Sequence, residues 1–375
     1  MRQSEIMKYR VILLLLVILI YGGISSGQVL HDSSSVNLIR EGIRCIYNME
    51  FTEAEKVYAE LERRHHDHPV CDLYRGMMIY WKKFPLTPAS PYRSVYEQTL
   101  HGCIEKSEPD KCPSAGYGTE YLLANLSARG LLLLFYADNG LSSEVMPLAS
   151  QTYRPLMHSM KLTEECPDLY FFSGIYNYYR DAYPRVRPIY KAVAFLFPQG
   201  NMKKGIEQLE ICAQRSMALQ AEAFSMLAWI RMHFENDYQK SLPYCRILTE
   251  KYPSNPSFKG MYIKNLLLLK RYDEAEKIMN MHSEADTNSY YLAQICFFKG
   301  LLQEKKYRNH GRARELYRAT INAMLVFGEY GKEFQSYAYY GLSRITQSDE
   351  AKQEKRVYRR KATELSDFKK MTFDD

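Results

Sequence analysis

Apolar residues recur along most of the chain at intervals of three and four positions, which places them on one side of an α-helix. The pattern is clearest in FTEAEKVYAEL, YQKSLPYCRIL and YDEAEKIMNMH, which start at residues 51, 238 and 272. Each segment begins with an aromatic residue, has a small residue three positions later and carries larger apolar residues six and seven positions later. Because these positions share one helix face, the pattern predicts an amphipathic helix in each segment.

A second apolar segment precedes each of these helices: LIREGIRCIYN, AFSMLAWIRMHF and YIKNLLLLK. The predicted unit is therefore helix, tight turn, helix, and the aromatic residues Tyr238 and Tyr272 of two units are 34 positions apart (272 − 238 = 34). A single unit of this size cannot bury its apolar face, so successive units must stack. The repeats are clearest over residues 36–70 and 221–282, and they predict an all-α protein.

Particular residue types are expected at the contacts inside each unit. A small residue lets two helix backbones approach closely, and an aromatic residue covers the turn between them. Pro253 cannot continue a helical hydrogen-bond ladder, so we expect it to end its helix. The residues predicted to serve this packing are Gly42, Phe51, Ala54, Trp229, Tyr238, Ser241, Pro253, Tyr272 and Ala275.

These segments resemble the tetratricopeptide repeat family, although the helix-A tryptophan of that family is displaced here, to Trp229. The stretch from DLYFFSGIYNYYRDAYPRVRPIYKAVAFLFPQGN into MKKGIEQLE is also similar to the inclusion-body-clearance family of tetratricopeptide proteins. The resemblance implies that residues 28–375 form a right-handed solenoid of antiparallel helical hairpins, more than two-thirds helical. It also implies a concave face that binds protein or peptide partners.

The first 27 residues are predicted to be a secretory signal peptide. Lys8 and Arg10 precede the apolar run VILLLLVILIY, and the small residues Ser25 and Gly27 fit the −3 and −1 positions of a cleavage site. The apolar run is short for a membrane span, which needs about 20 residues; an uncleaved anchor is the alternative. We expect export to the periplasm or outer membrane of a Gram-negative bacterium, with no stable membrane span after cleavage.

Composition and charge indicate a folded protein that does not bind nucleic acid. Hydrophobic residues make up 46% of the 375 residues and charged residues 25%, which is typical of a folded chain. The net charge of +7 is mild for this length. The basic stretch over 352–361 alternates with glutamates, and we interpret it as a solvated helix face rather than a site for an anionic partner.

The eight cysteines form neither a CxxC pair nor a zinc-ribbon pattern. Most lie inside apolar helical patterns, where a free cysteine acts as a small core residue. Export would permit disulfides, and the best candidate bridge joins Cys103 and Cys112, which flank a predicted loop.

The sequence motifs do not indicate catalysis or a bound cofactor. GxxxxGK and GxGxxG do not occur, nor do HExxH or SxxK with its partner motifs. The HHDH run at residues 65–68 contains good metal ligands, but adjacent side chains at a helix end point in different directions. We therefore expect a polar helix end there, no metal site and no enzyme activity.

A tyrosine-rich stretch is the strongest candidate for a binding surface. In YFFSGIYNYYRDAYPR the tyrosines recur at helical spacing, and each offers a flat apolar face and a hydroxyl for gripping peptides or sugars. Ordinary core packing is the other explanation. The predicted partner-binding residues are Tyr170, Tyr176, Tyr179, Arg180 and Tyr183, and Arg180 is expected to hold a partner carboxylate.

These patterns together predict the class of function. We expect a non-enzymatic, exported scaffold or assembly factor of the bacterial cell envelope, without a cofactor, that binds partner proteins or peptides. The alternative is a helical repeat protein that binds glycans for nutrient capture. Fold and composition do not name the partner in either case.

Overall fold

The computed structural model describes residues 29–112, 118–186, 197–281, 287–346, 351–366, 371 and 373–374. Of these residues 79% are helical and none lies in a β-strand. The predicted all-α class is therefore confirmed, and over the described ranges the helical fraction exceeds two-thirds. The predicted signal peptide over residues 1–27 and the last residue of the 221–282 repeat lie outside the described residues.

The described ranges contain sixteen α-helices. They are α1 (Ser33–Tyr47), α2 (Phe51–His65), α3 (Pro69–Lys82), α4 (Arg93–Lys106), α5 (Thr119–Asp138), α6 (Ser142–Ser159), α7 (Tyr170–Val186), α8 (Met202–Arg215), α9 (Gln220–Trp229), α10 (Tyr238–Lys251), α11 (Pro256–Leu268), α12 (Tyr272–Met279), α13 (Ser289–Lys305), α14 (His310–Met324), α15 (Glu329–Ile345) and α16 (Lys352–Leu365). A π-helical turn, Ile230–Phe234, continues α9. None of these helices is both long and apolar enough to cross a lipid bilayer.

Every helix packs against the next one along the chain. We call the odd-numbered helices A helices and the even-numbered ones B helices, since α1 and α2, α3 and α4 and so on form successive pairs. Neighbouring A helices also touch, as α11 touches α13 and α13 touches α15. The B helices α2, α10 and α12 begin at Phe51, Tyr238 and Tyr272, the aromatic residues that open the predicted segments. Pro253 lies two residues beyond the end of α10 at Lys251.

Five of the A–B turns share one backbone feature, a residue in the left-handed region two positions before the B helix begins. In the first turn the N–H of Glu50 donates to the Cys45 carbonyl at 2.9 Å, which closes the last turn of the A helix. Only one of the five left-handed residues is glycine, the residue that adopts this conformation most easily. They are Met49, Gly140, Asn236, Lys270 and Arg308, with φ of 63°, 68°, 55°, 58° and 55°.

The small residues of the repeat pattern lie at close helix contacts. Ala54, Ser241 and Ala275 are completely buried. The Ser241 hydroxyl also donates to the Ala228 carbonyl of its A helix at 3.0 Å. The ring of Tyr74 covers Gly42, where an added Cβ would lie 2.3 Å from ring carbon Cε2. These positions therefore tolerate little extra volume.

The early hairpins also pack against hairpins about 200 residues later, along a contact that we call the seam. The Tyr47 ring lies 5.7 Å from the Phe258 ring, and Asn255 Nδ2 donates to the Tyr47 carbonyl at 2.9 Å, across 208 positions. Asn288 Nδ2 donates to the Phe84 carbonyl at 2.7 Å. The local repeat pattern does not predict this long-range closure.

Two carboxyl groups lie in the seam next to tyrosine hydroxyls. Tyr330 on α15 donates to Asp138 at the end of α5 at 3.2 Å, and Tyr47 on α1 donates to Glu222 on α9. Burial raises the pKa of Asp138 to about 7, although the Tyr330 hydrogen bond opposes the shift. Burial likewise raises the pKa of Glu222 to about 7. Both carboxyls thus hold protons more tightly in the folded chain than in water.

The predicted disulfide between Cys103 and Cys112 is wrong, because both are free thiols, as are the other six cysteines. Cys103 lies on the inner side of α4, where its Sγ is 3.3 Å from the Pro69 carbonyl oxygen and 3.7 Å from that of Ala124. Its side chain therefore packs into the core between α3 and α5 instead of facing the loop. Burial raises the pKa of the Cys103 thiol well above its ordinary value.

Candidate functional site

Buried charge is concentrated on the later A helices. Among the described residues, seven Asp, Glu, Lys, Arg or His residues are buried, and five of them lie on α11, on α13 or on the π-helical turn after α9. Burying charge is costly unless it is paired, so such a concentration marks a candidate site. We call the surface formed by α11, α13 and α15 the inner groove. The five residues are His233, Lys259, Lys264, Glu304 and Lys305.

The first set of charges, which we call the lysine cluster, joins three A helices. Lys264 Nζ on α11 lies 3.0 Å from Glu333 Oε1 on α15. His233 Nε2 lies 3.1 Å from the same oxygen, and the Tyr337 hydroxyl donates to it at 2.7 Å. The Trp229 ring stacks on the His233 ring with 3.5 Å between centroids. One carboxylate oxygen thus organises a cation, an imidazole and a phenol.

Electrostatics fix the charges of the lysine cluster near neutral pH. Burial, reinforced by the Lys264 ammonium, lowers the pKa of His233 to about 4, so this imidazole is neutral at pH 7. Burial acts to raise the pKa of Glu333, but Lys264 and His233 outweigh it and hold that pKa far below the ordinary value. The cluster therefore contains an ion pair between Lys264 and Glu333, which has no net charge, and the uncharged imidazole of His233 beside it.

The second set of charges, the arginine cluster, joins α13, α14 and α15. The Arg344 guanidinium donates to both oxygens of Glu304, from Nε at 2.7 Å and from Nη2 at 3.0 Å. The Tyr317 hydroxyl donates to Glu304 at 2.5 Å. This two-pronged geometry holds a guanidinium rigidly, and it leaves Nη1 of Arg344 pointing away from Glu304.

Three residues that follow α16 in the chain lie in the inner groove; we call Met371, Phe373 and Asp374 the tail segment. Met371 is 1% exposed, and the Tyr337 hydroxyl lies 2.8 Å from its Sδ. The Phe373 ring packs between Tyr337 and Phe297, at centroid distances of 5.1 Å and 5.4 Å. Asp374 Oδ1 lies 3.4 Å from Arg344 Nη1.

A cavity of about 180 Å³ continues the groove beside Phe373 and Asp374. Its walls come from α10, α11, α12, α13 and the turn residue Lys270, and they combine leucine and tyrosine side chains with two lysines. The lining residues are Tyr238, Leu267, Leu268, Lys270, Tyr272, Leu301 and Lys305. The tail segment therefore leaves space next to it that could take further apolar or acidic groups.

The inner groove combines three chemical features. It has an aromatic floor, a guanidinium held in a fixed orientation and an adjoining cavity lined in part by Lys270. The tail segment shows which side chains fit: two apolar ones in the floor and one carboxylate at the arginine.

The predicted tyrosine surface on α7 is largely occupied by contacts within the chain. The Tyr176 hydroxyl donates to the Pro198 carbonyl at 2.7 Å, and the Tyr179 hydroxyl lies 3.1 Å from the Met226 Sδ. The Arg180 guanidinium donates to the Phe197 carbonyl at 3.0 Å and 3.3 Å instead of facing solvent.

The two remaining tyrosines of that prediction differ in exposure. Tyr170 is buried, and its hydroxyl donates to Glu164. Tyr183 is 45% exposed, and its ring packs on the rings of Tyr179 and Phe234 at 5.1 Å and 5.7 Å. The five predicted residues thus share one helix, and Tyr183 is the member whose ring is substantially open to solvent.

The histidine run at 65–68 forms a polar helix junction. His65 Nε2 lies 2.7 Å from the Ser35 hydroxyl, whereas His68 caps α3 and contacts Glu120 Oε1 at 3.1 Å. His66 and Asp67 are exposed and pair with each other. Within the described ranges no three His, Cys, Asp or Glu side chains are arranged to hold a metal ion.

The sequence carried signals for the inner groove that the repeat pattern hid. YIKNLLLLK places Lys264 inside a mostly apolar stretch, where a charged residue needs a partner. The partner, Glu333, is 69 positions away. The acidic, aromatic end of the chain after α16 was a second signal. Comparisons with protein-family models, curated proteins and solved structures return no match.

Proposed function

We propose that this chain is a non-enzymatic, tetratricopeptide-like protein whose inner groove binds peptide segments of partner proteins. The observation that carries the proposal is the seating of Met371, Phe373 and Asp374 against Tyr337, Phe297 and Arg344. A surface that packs two apolar side chains and a carboxylate of one segment has the features needed to pack those of another.

The proposed architecture is a right-handed solenoid of helical hairpins. Its support is the contact of each helix with the next, the contact between neighbouring A helices and the shared left-handed turn residue. In such a stack the A helices α11, α13 and α15 would line one continuous surface, which is where the tail segment lies.

The proposed setting is the envelope of a Gram-negative bacterium, where the protein would act as a scaffold or assembly factor. The basic and apolar pattern of residues 1–27 supports export. Glycan binding receives less support, because the Tyr176 and Tyr179 hydroxyls that would contact a sugar already have partners within the chain.

Site-specific photocrosslinking in the native host tests this function. A photoreactive amino acid at Lys270, on the wall of the groove cavity, should capture a defined envelope protein. The matched control is the same amino acid at Lys56, which is exposed on the B helix α2 and lies outside the groove. Equal capture at both positions, or none at Lys270, would contradict binding in the groove.

A further inference from the structure

We propose that the tail segment is an internal ligand that an external peptide displaces. This peptide has the same chemistry: two apolar side chains two positions apart, followed by an acidic residue. The inference rests on the proposed function and names both the partner class and the regulation of the inner groove. It follows from how the tail segment is held, from the shape of the groove around it and from the position of Arg344.

The spacing of the buried tail residues defines the peptide pattern. Met371 and Phe373 are two positions apart, and both are buried against the same A-helix side chain, Tyr337. The Phe373 backbone is left-handed, with φ of 54°, so the segment turns at this residue instead of running as a strand. A peptide would therefore need two apolar side chains two positions apart, with a turn at the second one, to fill the floor of the groove.

The acidic preference comes from the arginine cluster. Glu304 binds Nε and Nη2 of Arg344, and Asp374 takes Nη1. The Asp374 side chain is 53% exposed and its distance of 3.4 Å is long for an ion pair of this kind. Water can therefore compete for this contact, and the carboxylate of an incoming peptide could replace Asp374 without disturbing the buried Arg344–Glu304 pair.

The tail segment does not fill the groove. The cavity of about 180 Å³ beside Phe373 and Asp374 includes Lys270 and Lys305 among its lining residues. Lys305 already pairs with Glu304 at 3.6 Å, whereas Lys270 is exposed, so a longer or more acidic peptide would gain contacts in that cavity chiefly at Lys270. This gives an external ligand a way to compete against an internal one that is always present at high local concentration.

The experiment measures binding of the fluorescent peptide MTFDD, which copies residues 371–375, by fluorescence anisotropy. The chain shortened to end at Ser366 should bind it at least about tenfold more tightly than the full chain, because a groove occupied most of the time reduces the apparent affinity by its free fraction. Full-length Phe373→Ala, whose tail competes less well, should fall between the two.

Peptide variants provide controls that cannot unfold the protein. A peptide with alanine in place of phenylalanine should lose most binding to the shortened chain, and one with asparagines in place of the aspartates should bind more weakly and with less dependence on salt. Equal binding of all three peptides, or equal binding of MTFDD to the full and shortened chains, would overturn the proposal.

A third readout covers the case in which both variants fail to fold. Fluorinated phenylalanine at position 373 of the full chain should report displacement, since excess unlabelled MTFDD should move its fluorine resonance toward the solvent-exposed position. An unchanged resonance would overturn the proposal, as would a full-length dimer that disappears on shortening, because the tail would then belong to a second copy. Peptide binding without envelope crosslinking at Lys270 would remove the proposed cellular function and leave this inference intact.

Discussion

The first and sixth hairpins are built alike, yet they use their A helices differently. Both turns contain a left-handed residue, Met49 or Lys270, and both B helices bury an alanine three positions after the opening aromatic residue. The end of α1 uses Tyr47 to close the seam against Phe258 of α11, whereas α11 also carries Lys264, which joins an ion cluster in the inner groove. The hairpin pattern thus determines the backbone, and the A-helix residues outside that pattern differ between closing the seam and forming the inner groove.

The two regions also treat their partly buried carboxyls in opposite ways. In the seam, Asp138 and Glu222 meet tyrosine hydroxyls, and burial raises the pKa of each to about 7. In the inner groove, Glu333 meets Lys264, and its pKa is lowered despite burial. The seam is therefore held by groups that prefer to be neutral, and the groove by groups that are charged and paired.

The largest expected effect comes from breaking the arginine cluster. Glu304→Gln should destabilise the fold by about 3 kcal/mol, because it leaves the largely buried Arg344 guanidinium without its carboxylate. Chemical denaturation gives the free energy of unfolding. The matched control is Glu53→Gln, which breaks an exposed ion pair with Lys56 and should cost less than about 0.5 kcal/mol. Similar losses in both variants would show that groove charges do not differ from surface charges.

The next effect tests the close packing of Gly42 on α1 against Tyr74 on α3. Gly42→Ala should cost about 1–3 kcal/mol, because its Cβ would lie 2.3 Å from the Tyr74 ring, whose hydroxyl is tied to the Ala54 carbonyl at 3.0 Å. Gly102→Ala is the control, since its Cβ would meet Asp72 Oδ2 at an ordinary 3.9 Å. That variant should gain up to about 1 kcal/mol from helix propensity. A neutral Gly42→Ala variant would contradict the close contact between the A helices α1 and α3.

The stability contributed by the seam carboxyls should change with pH in the opposite direction from the stability contributed by Glu333 in the groove. A carboxyl with a raised pKa holds its proton in the folded chain after the unfolded chain has released it, so its contribution to stability is present below about pH 4 and falls as the pH rises through about 7. Glu333, whose pKa is lowered, contributes above its ordinary pKa, and that contribution is lost as the pH falls through its folded pKa.

Asp138→Asn should therefore stabilise the chain more at pH 8 than at pH 5, by at least about 1 kcal/mol, because the amide carries no charge into the seam. Thermal or chemical unfolding at the two pH values measures the difference. Equal effects at the two pH values would show that Asp138 is ionised in the folded seam throughout this range and that the contrast between the two regions is wrong.

The smallest expected effect concerns the end of the tail segment. Asp374→Asn should lower the free energy of unfolding by less than about 1 kcal/mol, and the loss should shrink in high salt, since this ion pair is half exposed. Asp67→Asn, on the exposed pair with His66, is the control. A loss above about 2 kcal/mol would mean that Asp374 is part of the core and not a displaceable contact.

Local patterns were enough to predict the helices but not their long-range contacts. The helical period and the aromatic residue place the starts of α2, α10 and α12, because these signals lie within one turn of the residues they describe. The turn residues were missed because Met49, Lys270 and Arg308 are not typical left-handed residues. The Cys103–Cys112 bridge was wrong because sequence proximity does not show which side of α4 faces the core.

The inner groove could be predicted only in part, for the same physical reason. A lysine inside YIKNLLLLK demands a buried partner, but neither the period nor the composition says that the partner is Glu333 on α15. The composition of the tyrosine-rich stretch predicted a binding surface, but polar groups such as the Tyr176 hydroxyl and the Arg180 guanidinium donate to backbone carbonyls within the chain. Local sequence periodicity predicts which helices form, whereas contacts between residues far apart in the sequence determine where a site lies.

Mapping where the tail-derived peptide binds tests the central claim most directly. MTFDD with a photoreactive group in place of its phenylalanine should crosslink, in the chain ending at Ser366, to peptides of α13 and α15 that contain Phe297 and Tyr337. The same peptide should give little crosslinking to the full chain. Crosslinks that map to the B helices or to α7, or that are equally strong in both chains, would contradict a groove that the protein's own tail occupies.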